Sequence, residues 1–318
     1  VKAGAEKARK KKLKTAAVVG VTCCSAGGQL LDGQRFDIVV LDEFAVLAGD
    51  PMQLPPLIAN PAQPQQRGGM PVHGLLRPLF ARLMAAGHPV HLLRRQYRCH
   101  PSIAAISNHS FYGGRLLDGC TAADRAPLLP GLPPVLCVDV RGSQQFAGGS
   151  GSASNQAEAQ AVVQMVSKLL GEGMRPGTEQ SEVSASPVTP GMIGVICFHR
   201  AQVSLISSML PGQRRYSSQA EEQLHDSLPE QLQEDVTVAT VDSYQGLEKP
   251  VIILSTAVTR PGSFVGDAQR LNVALTRAKH HLILAGHVPA LQESSVAFKS
   301  LLRHARSTPG AYRTAPIF

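Results

Sequence analysis

The sequence lacks any apolar run that could cross a membrane. Its longest such runs are shorter than ten residues, whereas a membrane-spanning helix needs about 20. A secretory signal is not expected either, because the sequence opens on a basic, polar segment. With 43% hydrophobic and 17% charged residues, the composition is typical of a globular protein. We therefore predict no contact with a membrane.

The sequence also lacks the cysteine patterns of a metal site. None of the six cysteines belongs to a Cys-x-x-Cys pair, and no histidine stands at a spacing suited to zinc. A reduced, intracellular protein is the simplest expectation from such cysteines. Structural zinc is accordingly not predicted.

Glycine-rich loops that bind phosphates are missing as well. No Gly-x-Gly-x-x-Gly follows a predicted strand, and Gly-x-x-x-x-Gly-Lys-Ser/Thr occurs nowhere. The one Lys-Thr pair, Lys14-Thr15, follows Leu13 instead of glycine. The sequence therefore offers no nest of backbone N–H groups for the β- and γ-phosphates of a nucleotide. No Ser/His/Asp arrangement can be read from it either, which disfavours a small-molecule α/β enzyme.

Basic charge is concentrated at one end of the sequence. Residues 1–14 carry seven basic side chains against Glu6, which gives +6 of the net +8 and leaves +2 for the other residues. Such a segment can contact phosphates or serve as a nuclear localisation signal. It can equally be a solvated helix face, and the sequence leaves these alternatives open.

Short apolar runs alternate with helical patterns along the sequence. This alternation predicts an α/β fold with parallel sheets and flanking helices. The predicted strands are 16–22, 36–43, 89–98, 133–140, 191–198, 235–241, 250–258 and 280–287, and the predicted helices are 74–87, 155–173, 200–210, 268–279 and 295–306. Asn155 is the expected N-cap of the second of these helices. A domain boundary is expected near 88–94.

Two acidic motifs follow apolar runs in the first third of the sequence. "VVLDE" ends on Asp42, which could hold Mg²⁺, and Glu43, which could orient a water for attack on a phosphoryl group. In "GDPMQLPP", prolines stiffen the loop, and Gln53 presents an amide that can contact a phosphate or an attacking water. A solvent-facing acid and a plain turn are the alternative interpretations.

Three further motifs carry groups suited to nucleotides. "QYRCHP" sets Tyr97, whose ring can stack on a base, beside Arg98, whose guanidinium can bind phosphate. "TVDSYQGLEKPVIIL" offers hydroxyl and amide donors together with Glu248, which can accept from a ribose hydroxyl. "RLNVALTRAK" places Arg270 and Arg277 seven residues apart, so both can point from one helix face, and one can act as an arginine finger. Each motif alone also fits a structural role.

In their shared order, these motifs resemble those of the superfamily 1 helicases, in the group that includes the nonsense-mediated-decay helicase and senataxin. "VVLDE" is similar to the Walker B motif, and "GDPMQLPP", "LLRRQYRCHP", "TVDSYQGLEKPVIILS" and "RLNVALTRAK" resemble motifs III, IV, V and VI. "FYGGRLLDG" and "RAPLLPGLP" resemble the branch of GRF-zinc-finger-containing DNA helicases most. The resemblance implies two RecA-like domains that clamp ATP, with 1–93 as a remnant of the first and 94–318 as a complete second.

The resemblance also implies roles for individual residues. The residues implied to contact ATP are Asp42, Glu43, Gln53, Tyr97, Arg98, Gly246, Glu248 and Arg277. Among them, Asp42 is the implied Mg²⁺ ligand, and the implied catalytic residues are Glu43, Gln53, Arg98 and Arg277. The residues implied to contact nucleic acid are Thr22, Ser25, Arg200, Thr240 and Ser243.

Departures from the family pattern affect mainly the first domain. Besides the missing Walker A loop, the crossover after Glu43 is absent, and Cys197 stands where a threonine is usual. If 36–50 forms one strand, Asp42 and Asp50 lie roughly 26 Å apart, too far for one Mg·ATP to use both. We therefore expect a partial or mis-spliced copy of a helicase, and no ATP turnover by this chain alone.

The function that the resemblance implies is that of an ATP-dependent 5′–3′ helicase, represented by its carboxy-terminal part. Its expected ligands are ATP, Mg²⁺ and single-stranded nucleic acid, DNA more than RNA, in repair or replication. A monomer in the nucleus is expected, with the cytoplasm as the alternative location. The alternative function is that of an inactive fragment that binds nucleic acid or protein.

Overall fold

The structure, a computed structural model, describes residues 47–55, 78–146, 151–171, 188–210 and 235–315. The chain forms two compact units, 1–48 and 49–318, and the description below concerns the second. The predicted strands 16–22 and 36–43, the predicted separation of Asp42 from Asp50, and the predicted site residues Thr22, Ser25, Asp42 and Glu43 lie outside the described residues. The predicted boundary between 93 and 94 stays a prediction.

Helices and strands alternate through the described residues. In chain order they are α1 (Leu79–Ala85), β1 (Arg95–Gln96), α2 (Pro101–Phe111), β2 (Leu117–Asp118), β3 (Val135–Asp139), β4 (Gln145–Phe146), β5 (Ala153–Ser154), α3 (Gln156–Leu169), a 3₁₀ turn (Pro190–Met192), β6 (Ile193–Cys197), α4 (Arg200–Met209), β7 (Thr237–Thr240), β8 (Lys249–Ser255), α5 (Ala268–Leu275), β9 (Ala278–Gly286), α6 (Val288–Ser294), α7 (Val296–Ser307) and β10 (Tyr312–Thr314). None of these helices is long and apolar enough to cross a membrane.

Six parallel strands form the central sheet, in the order β10–β3–β9–β8–β6–β7. Two short pairs stand apart from it: β1 pairs with β2 in parallel, and β4 pairs with β5 in antiparallel orientation. The predicted α/β fold with a parallel sheet and flanking helices is confirmed. It is the architecture expected of a RecA-like domain.

Helices cover both faces of the sheet. Along β8, Ile252 and Leu254 belong to the apolar core that the sheet shares with α2, α5, α6 and α7. Val251 and Ile253 belong to the core on the opposite face, shared with α3 and α4. Since successive side chains of a strand point to opposite faces, a strand covered on both sides must be apolar throughout. This explains the uninterrupted apolar runs in the sequence.

The ends of the helices follow local chemistry that the sequence reveals only in part. The side chain of Asn155 accepts a hydrogen bond from the Glu158 backbone N–H (3.2 Å), which confirms the predicted N-cap of α3. In contrast, α5 ends at Leu275, so the predicted helix 268–279 is too long. Arg277 therefore lies beyond the helix, and the prediction that it shares a helix face with Arg270 is wrong.

A buried carboxyl group joins α3 to the chain segment that leaves β8. Glu158 is fully buried, and its Oε1 accepts from the Ser255 hydroxyl (2.7 Å) and from the Ala257 N–H (2.8 Å). Burial raises the pKa of Glu158 to about 7, although these two hydrogen bonds oppose the shift. Ala257 has a φ of 60°, a backbone conformation that an L-residue rarely adopts. The carboxyl group thus holds a strained turn in place.

Candidate functional site

Among the described residues, the predicted nucleotide contacts and the predicted nucleic-acid contacts lie at opposite edges of the sheet. Glu248 and Arg277 immediately precede β8 and β9, at the amino-terminal edge. Thr240 ends β7, and Arg200 begins α4 just after β6, at the carboxyl edge. The seven residues of β8 span roughly 23 Å between these edges. Residues 241–248 connect the two edges, because they join the end of β7 to the start of β8.

Arg277 is a buried cation at the amino-terminal edge. Its side chain is 2% exposed, and its guanidinium donates to Val273 O (2.9 Å), Thr276 Oγ1 (3.0 Å) and Gln53 Oε1 (3.3 Å). Burial lowers the pKa of Arg277 to about 10, and the positive charge of nearby Arg98 makes a smaller contribution in the same direction. No carboxylate of the described residues forms an ion pair with it. A desolvated positive charge without a counter-ion suits an anionic phosphate.

Gln53 lies against Arg277, and its predicted contact with a γ-phosphate stays a prediction. Its amide nitrogen donates to Asp50 Oδ2 (2.9 Å), so its oxygen is left to face the guanidinium. Asp50 also accepts from the Tyr112 hydroxyl (2.5 Å), and Tyr112 in turn accepts from Asn272 Nδ2 (2.8 Å). Burial, together with the bond to Asp50, raises the pKa of Tyr112 to about 12. These contacts fix the Gln53 amide at a set orientation.

Gln53 belongs to a segment formed by residues 49–55. Backbone carbonyls of this segment accept hydrogen bonds from side chains elsewhere in the second unit. Pro51 O accepts from Gln269 Nε2 (2.9 Å), Met52 O from Asn272 Nδ2 (2.9 Å) and Leu54 O from Gln245 Nε2 (3.2 Å), as separate contacts along the segment. Two of these donors belong to α5, and the third belongs to residues 241–248. The segment therefore touches both the helix before Arg277 and the connection between the two edges.

Arg98 completes the amino-terminal edge. Its Nε forms an ion pair with Glu248, and its Nη1 donates to Thr276 O (3.2 Å), one residue before Arg277. Lys279 binds the second oxygen of Glu248 at 2.8 Å. Partial burial raises the pKa of Glu248, but hydrogen bonds from Lys279 and Arg98 outweigh it, so the net pKa is lower than usual. Arg98 and Arg277 are thus brought together, as predicted.

Tyr97 presents an exposed ring beside this cluster. The side chain is 61% exposed. Gly119 lies against its ring, so closely that a Cβ atom at position 119 would stand only 2.4 Å from a ring carbon of Tyr97. The Arg125 guanidinium fixes the backbone that carries the ring, since it donates to the carbonyl oxygens of Tyr97 (2.6 Å) and Arg98 (2.7 Å). The ring is therefore supported on one side by backbone and is free to stack on a planar group.

Gly246 occupies a turn that only glycine adopts readily. Its φ is +87°, and it ends the run of turns from 241 to 246 before Glu248. This position allows the chain to reach the amino-terminal edge next to Arg98. The predicted role of Gly246 in contacting a nucleotide stays a prediction.

At the carboxyl edge, Thr240 and Ser243 lie within hydrogen-bonding distance of each other (3.0 Å between their hydroxyl oxygens). Arg200, by contrast, is exposed at the first turn of α4. Cys197 ends β6 beside Thr240 but is fully buried, so it offers no group to a ligand. Hydroxyls and an exposed guanidinium at one edge of the sheet suit the phosphates of a nucleic-acid backbone.

Some contacts at these two edges were not predicted, although the residues that make them lie within quoted motifs. No spacing indicates that Lys279 binds Glu248, that Arg125 binds the backbone at Tyr97, or that Tyr112 binds Asp50.

At the carboxyl edge, the Phe264 ring contacts the Arg270 guanidinium (4.7 Å from the ring centroid) and the His199 ring (5.1 Å between centroids). The sequence gives no signal for Phe264.

A divalent metal has no ready site among the residues that the structure describes. No group of three histidine, cysteine, aspartate or glutamate side chains lies close enough there to hold one. The predicted Mg²⁺ ligand, Asp42, is not among these residues. The fit to a nucleotide therefore rests on the two arginines and Gln53.

Phenylalanine at position 112 is expected to loosen the segment 49–55. Loss of the hydroxyl removes one hydrogen bond to the Asp50 carboxylate and one from the Asn272 amide, while Gln53 and Met52 O remain as partners, at a cost of about 1 kcal/mol. Hydrogen exchange of the backbone amides in 49–55 should then accelerate. Tyr97→Phe, at an exposed ring, is the matched control. Unchanged exchange in Tyr112→Phe would contradict this account.

Comparison with known proteins gives consistent relatives. A family profile for an AAA domain matches residues 75–289. The mouse protein described as 5′–3′ DNA helicase ZGRF1 is 34% identical over 301 residues, which cover 89% of this chain and 14% of that protein. Regulator of nonsense transcripts 1 of Dictyostelium discoideum is 30% identical over 312 residues, which cover 92% of this chain and 21% of that protein.

A yeast relative and a solved structure extend this comparison. ATP-dependent helicase upf1 of Schizosaccharomyces pombe is 29% identical over 322 residues, 93% of this chain and 31% of that protein. This chain thus spans less than a third of the length of each of these three relatives. The solved carboxy-terminal domain of a possible DNA helicase from Lactobacillus plantarum covers 69% of this chain with a TM-score of 0.34 and 13% identity, too low a likeness to bear on the fold.

Proposed function

We propose that this chain is the carboxy-terminal part of an ATP-dependent helicase. The chain belongs to the AAA domain family, in the superfamily 1 helicase group that its motifs predict. The proposed protein moves 5′ to 3′ along single-stranded nucleic acid. One observation supports this most: Gln53, Arg98 and Arg277, which come from three separate motifs, meet at one edge of the sheet. Gln53 and Arg277 are 224 positions apart in the sequence.

The three side chains can take different roles in the hydrolysis of a bound triphosphate. Arg277 and Arg98 place two positive charges where negative charge grows on the transferred phosphoryl group. Gln53 can orient the attacking water, because its amide nitrogen is already bound by Asp50 and its oxygen remains beside the guanidinium. Tyr97 can stack on the adenine ring. Bound ATP with Mg²⁺ would supply the phosphoryl group.

Single-stranded nucleic acid is the proposed partner at the carboxyl edge. Arg200, Thr240 and Ser243 offer one positive charge and two hydroxyls to a sugar–phosphate backbone. We favour DNA, because the mouse relative is described as a DNA helicase. A monomer in the nucleus, acting in repair or replication, completes the proposal.

An alternative function is that of a binding module without turnover. It is favoured by the absence of a Gly-x-x-x-x-Gly-Lys-Ser/Thr loop from the sequence, since that loop normally cradles the β- and γ-phosphates. Both proposals share the nucleic-acid surface. They differ in whether Arg98 and Arg277 serve ATP hydrolysis in the complete helicase.

We expect this chain to bind single strands, with an affinity that falls steeply as salt rises, and to show no ATP turnover. Binding of labelled single-stranded DNA and RNA, measured by fluorescence anisotropy over a range of salt, tests the first part. Arg200→Gln should weaken binding to both, and Arg82→Gln, at an exposed arginine of α1, is the matched control.

Phosphate release tests the second part of the expectation. Robust ATP hydrolysis that is stimulated by single strands and lost in Arg277→Ala would contradict it and would assign full catalysis to this chain. Absence of binding to any single strand would contradict the proposed function itself.

A further inference from the structure

A basic groove lies along α7, at the β10 end of the sheet. Its volume is about 470 Å³, and no carboxylate lines it. The lining residues are Gln292, Lys299, Leu302, Arg303, Arg306 and Ser307. None of them belongs to the motifs discussed above. The groove is therefore a separate feature of the molecule.

Three cations form one exposed face of α7. Lys299, Arg303 and Arg306 follow one another at spacings of four and three residues, which places them on one side of a helix. Apolar residues such as Phe298 and Leu301 are buried on the other side. In the described part of the chain, neither Lys299 nor Arg303 has an ion-pair partner. Neighbouring like charges destabilise a helix slightly, and a bound anion would relieve that repulsion.

The groove continues to the carboxyl edge of the sheet. A second cavity of about 210 Å³ shares Gln292 and Arg306 with it and reaches Asp139 and Arg141 at the end of β3. The Asp139 carboxylate is already engaged by Arg141 (2.8 Å) and by the Val288 N–H (3.0 Å). Four strand spacings, roughly 19 Å, separate β3 from β7 along this edge.

We propose that the α7 groove binds the phosphodiester backbone of a single strand that also contacts the carboxyl edge. This inference rests on the proposed function. The cations recur at about one helical turn, and they offer regularly spaced charges to a chain of phosphates. Apart from Leu302, every lining residue has a polar or charged side chain, and three of the six are cations, which suits a chain of phosphates. The proposed nucleic-acid site thus extends from the motif residues at the carboxyl edge to the groove along α7.

The test compares the double variant Lys299→Gln/Arg303→Gln with the native chain. Arg306 is left in place because its guanidinium lies over the Tyr312 ring, 5.4 Å from the centroid, and supports β10. The control, Arg82→Gln/Arg95→Gln, removes the same charge from exposed positions outside the groove. Thermal melting should show all three proteins folded. Binding is measured with a short single strand that spans only the carboxyl edge and with one of about 20 nucleotides.

The double variant should bind the longer strand roughly tenfold more weakly at low salt, and the slope of log affinity against log salt should fall by about 1.4. Binding of the short strand should not change, and the control should match the native chain with both strands.

Equal binding of the longer strand by the double variant and the control would overturn the groove proposal while leaving the proposed function intact. If the native chain binds no single strand, the proposed function fails first. A groove that binds poly-glutamate in preference to the longer strand would instead point to an acidic protein partner and overturn this proposal.

Discussion

Methionine at position 277 should leave the unliganded protein about as stable as arginine does and remove most of the stabilisation that Mg·ATP gives. Arg277 is buried and has no carboxylate partner among the residues that the structure describes, so its charge costs free energy in the absence of an anion. Its hydrogen bonds to carbonyl oxygens offset part of that cost, and we expect the unfolding free energy to change by no more than about 1 kcal/mol. An apolar side chain of similar length avoids the desolvation cost.

The response to triphosphate should change far more. A ligand at 100 times its Kd stabilises the native state by about 2.7 kcal/mol. Loss of a buried, charge-assisted contact costs about 2–5 kcal/mol of binding free energy, which is enough to remove most of that response at the same ligand concentration. The measurement is the melting temperature of both proteins as Mg·ATP is titrated, and turnover is not needed for it.

Arg82→Met serves as the control, because Arg82 is exposed on α1 and lies outside the cluster. Its melting temperature should rise with Mg·ATP as that of the native chain does. The account fails if Arg277→Met unfolds the unliganded protein, since that would make Arg277 a structural residue. It also fails if the variant keeps its full response to Mg·ATP.

Glutamine at position 158 should stabilise the protein above neutral pH and have little effect in acid. The pKa of Glu158 is raised from 4.5 to about 7 in the folded protein by burial. Below pH 4.5 the carboxyl is protonated in both the folded and the unfolded states, so folding carries no ionisation cost. As pH rises from 4.5 to about 7, the unfolded state loses its proton first, and stability falls by on the order of 3 kcal/mol. Glutamine removes this loss and keeps an oxygen for Ser255 and Ala257.

The measurement is the unfolding free energy of both proteins from pH 4 to pH 8. The difference between Glu158→Gln and the native chain should grow through that interval and level off above pH 7. Glu293→Gln, at an exposed glutamate, should show no such growth. A difference that stays constant with pH would mean that the Glu158 carboxyl is not protonated in the folded protein.

The sheet could be predicted from the sequence because its strands are covered on both faces. Runs such as 251–254 are apolar throughout, because each of their side chains enters one of the two apolar cores. The predicted strand 89–98 shows where composition misleads. It is apolar in part, yet Leu93 is 89% exposed, and only Arg95 and Gln96 pair with β2. An apolar run becomes a strand only where a neighbouring strand supplies hydrogen bonds.

The site could be predicted only through the order of its motifs. Sequence spacing contains no information on the contact between Gln53 and Arg277, and it wrongly placed Arg277 on a helix that ends two residues earlier. The contacts of Lys279 with Glu248 and of Arg125 with Arg98 O could not be predicted, because each joins residues from two different motifs. A single residue of this kind leaves no pattern, since its role depends on which strand lies next to it in the sheet.

The connection formed by residues 241–248 has a thermodynamic consequence. It is the only covalent step between β7 and β8, and it carries Ser243 at one edge and Glu248 at the other. A ligand that shifts one end of so short a segment can alter the free energy of the other end. By linkage, the factor by which a single strand changes the affinity for nucleotide equals the factor by which nucleotide changes the affinity for that strand. Because the seven residues of β8 separate the edges, this coupling requires no contact between the two ligands.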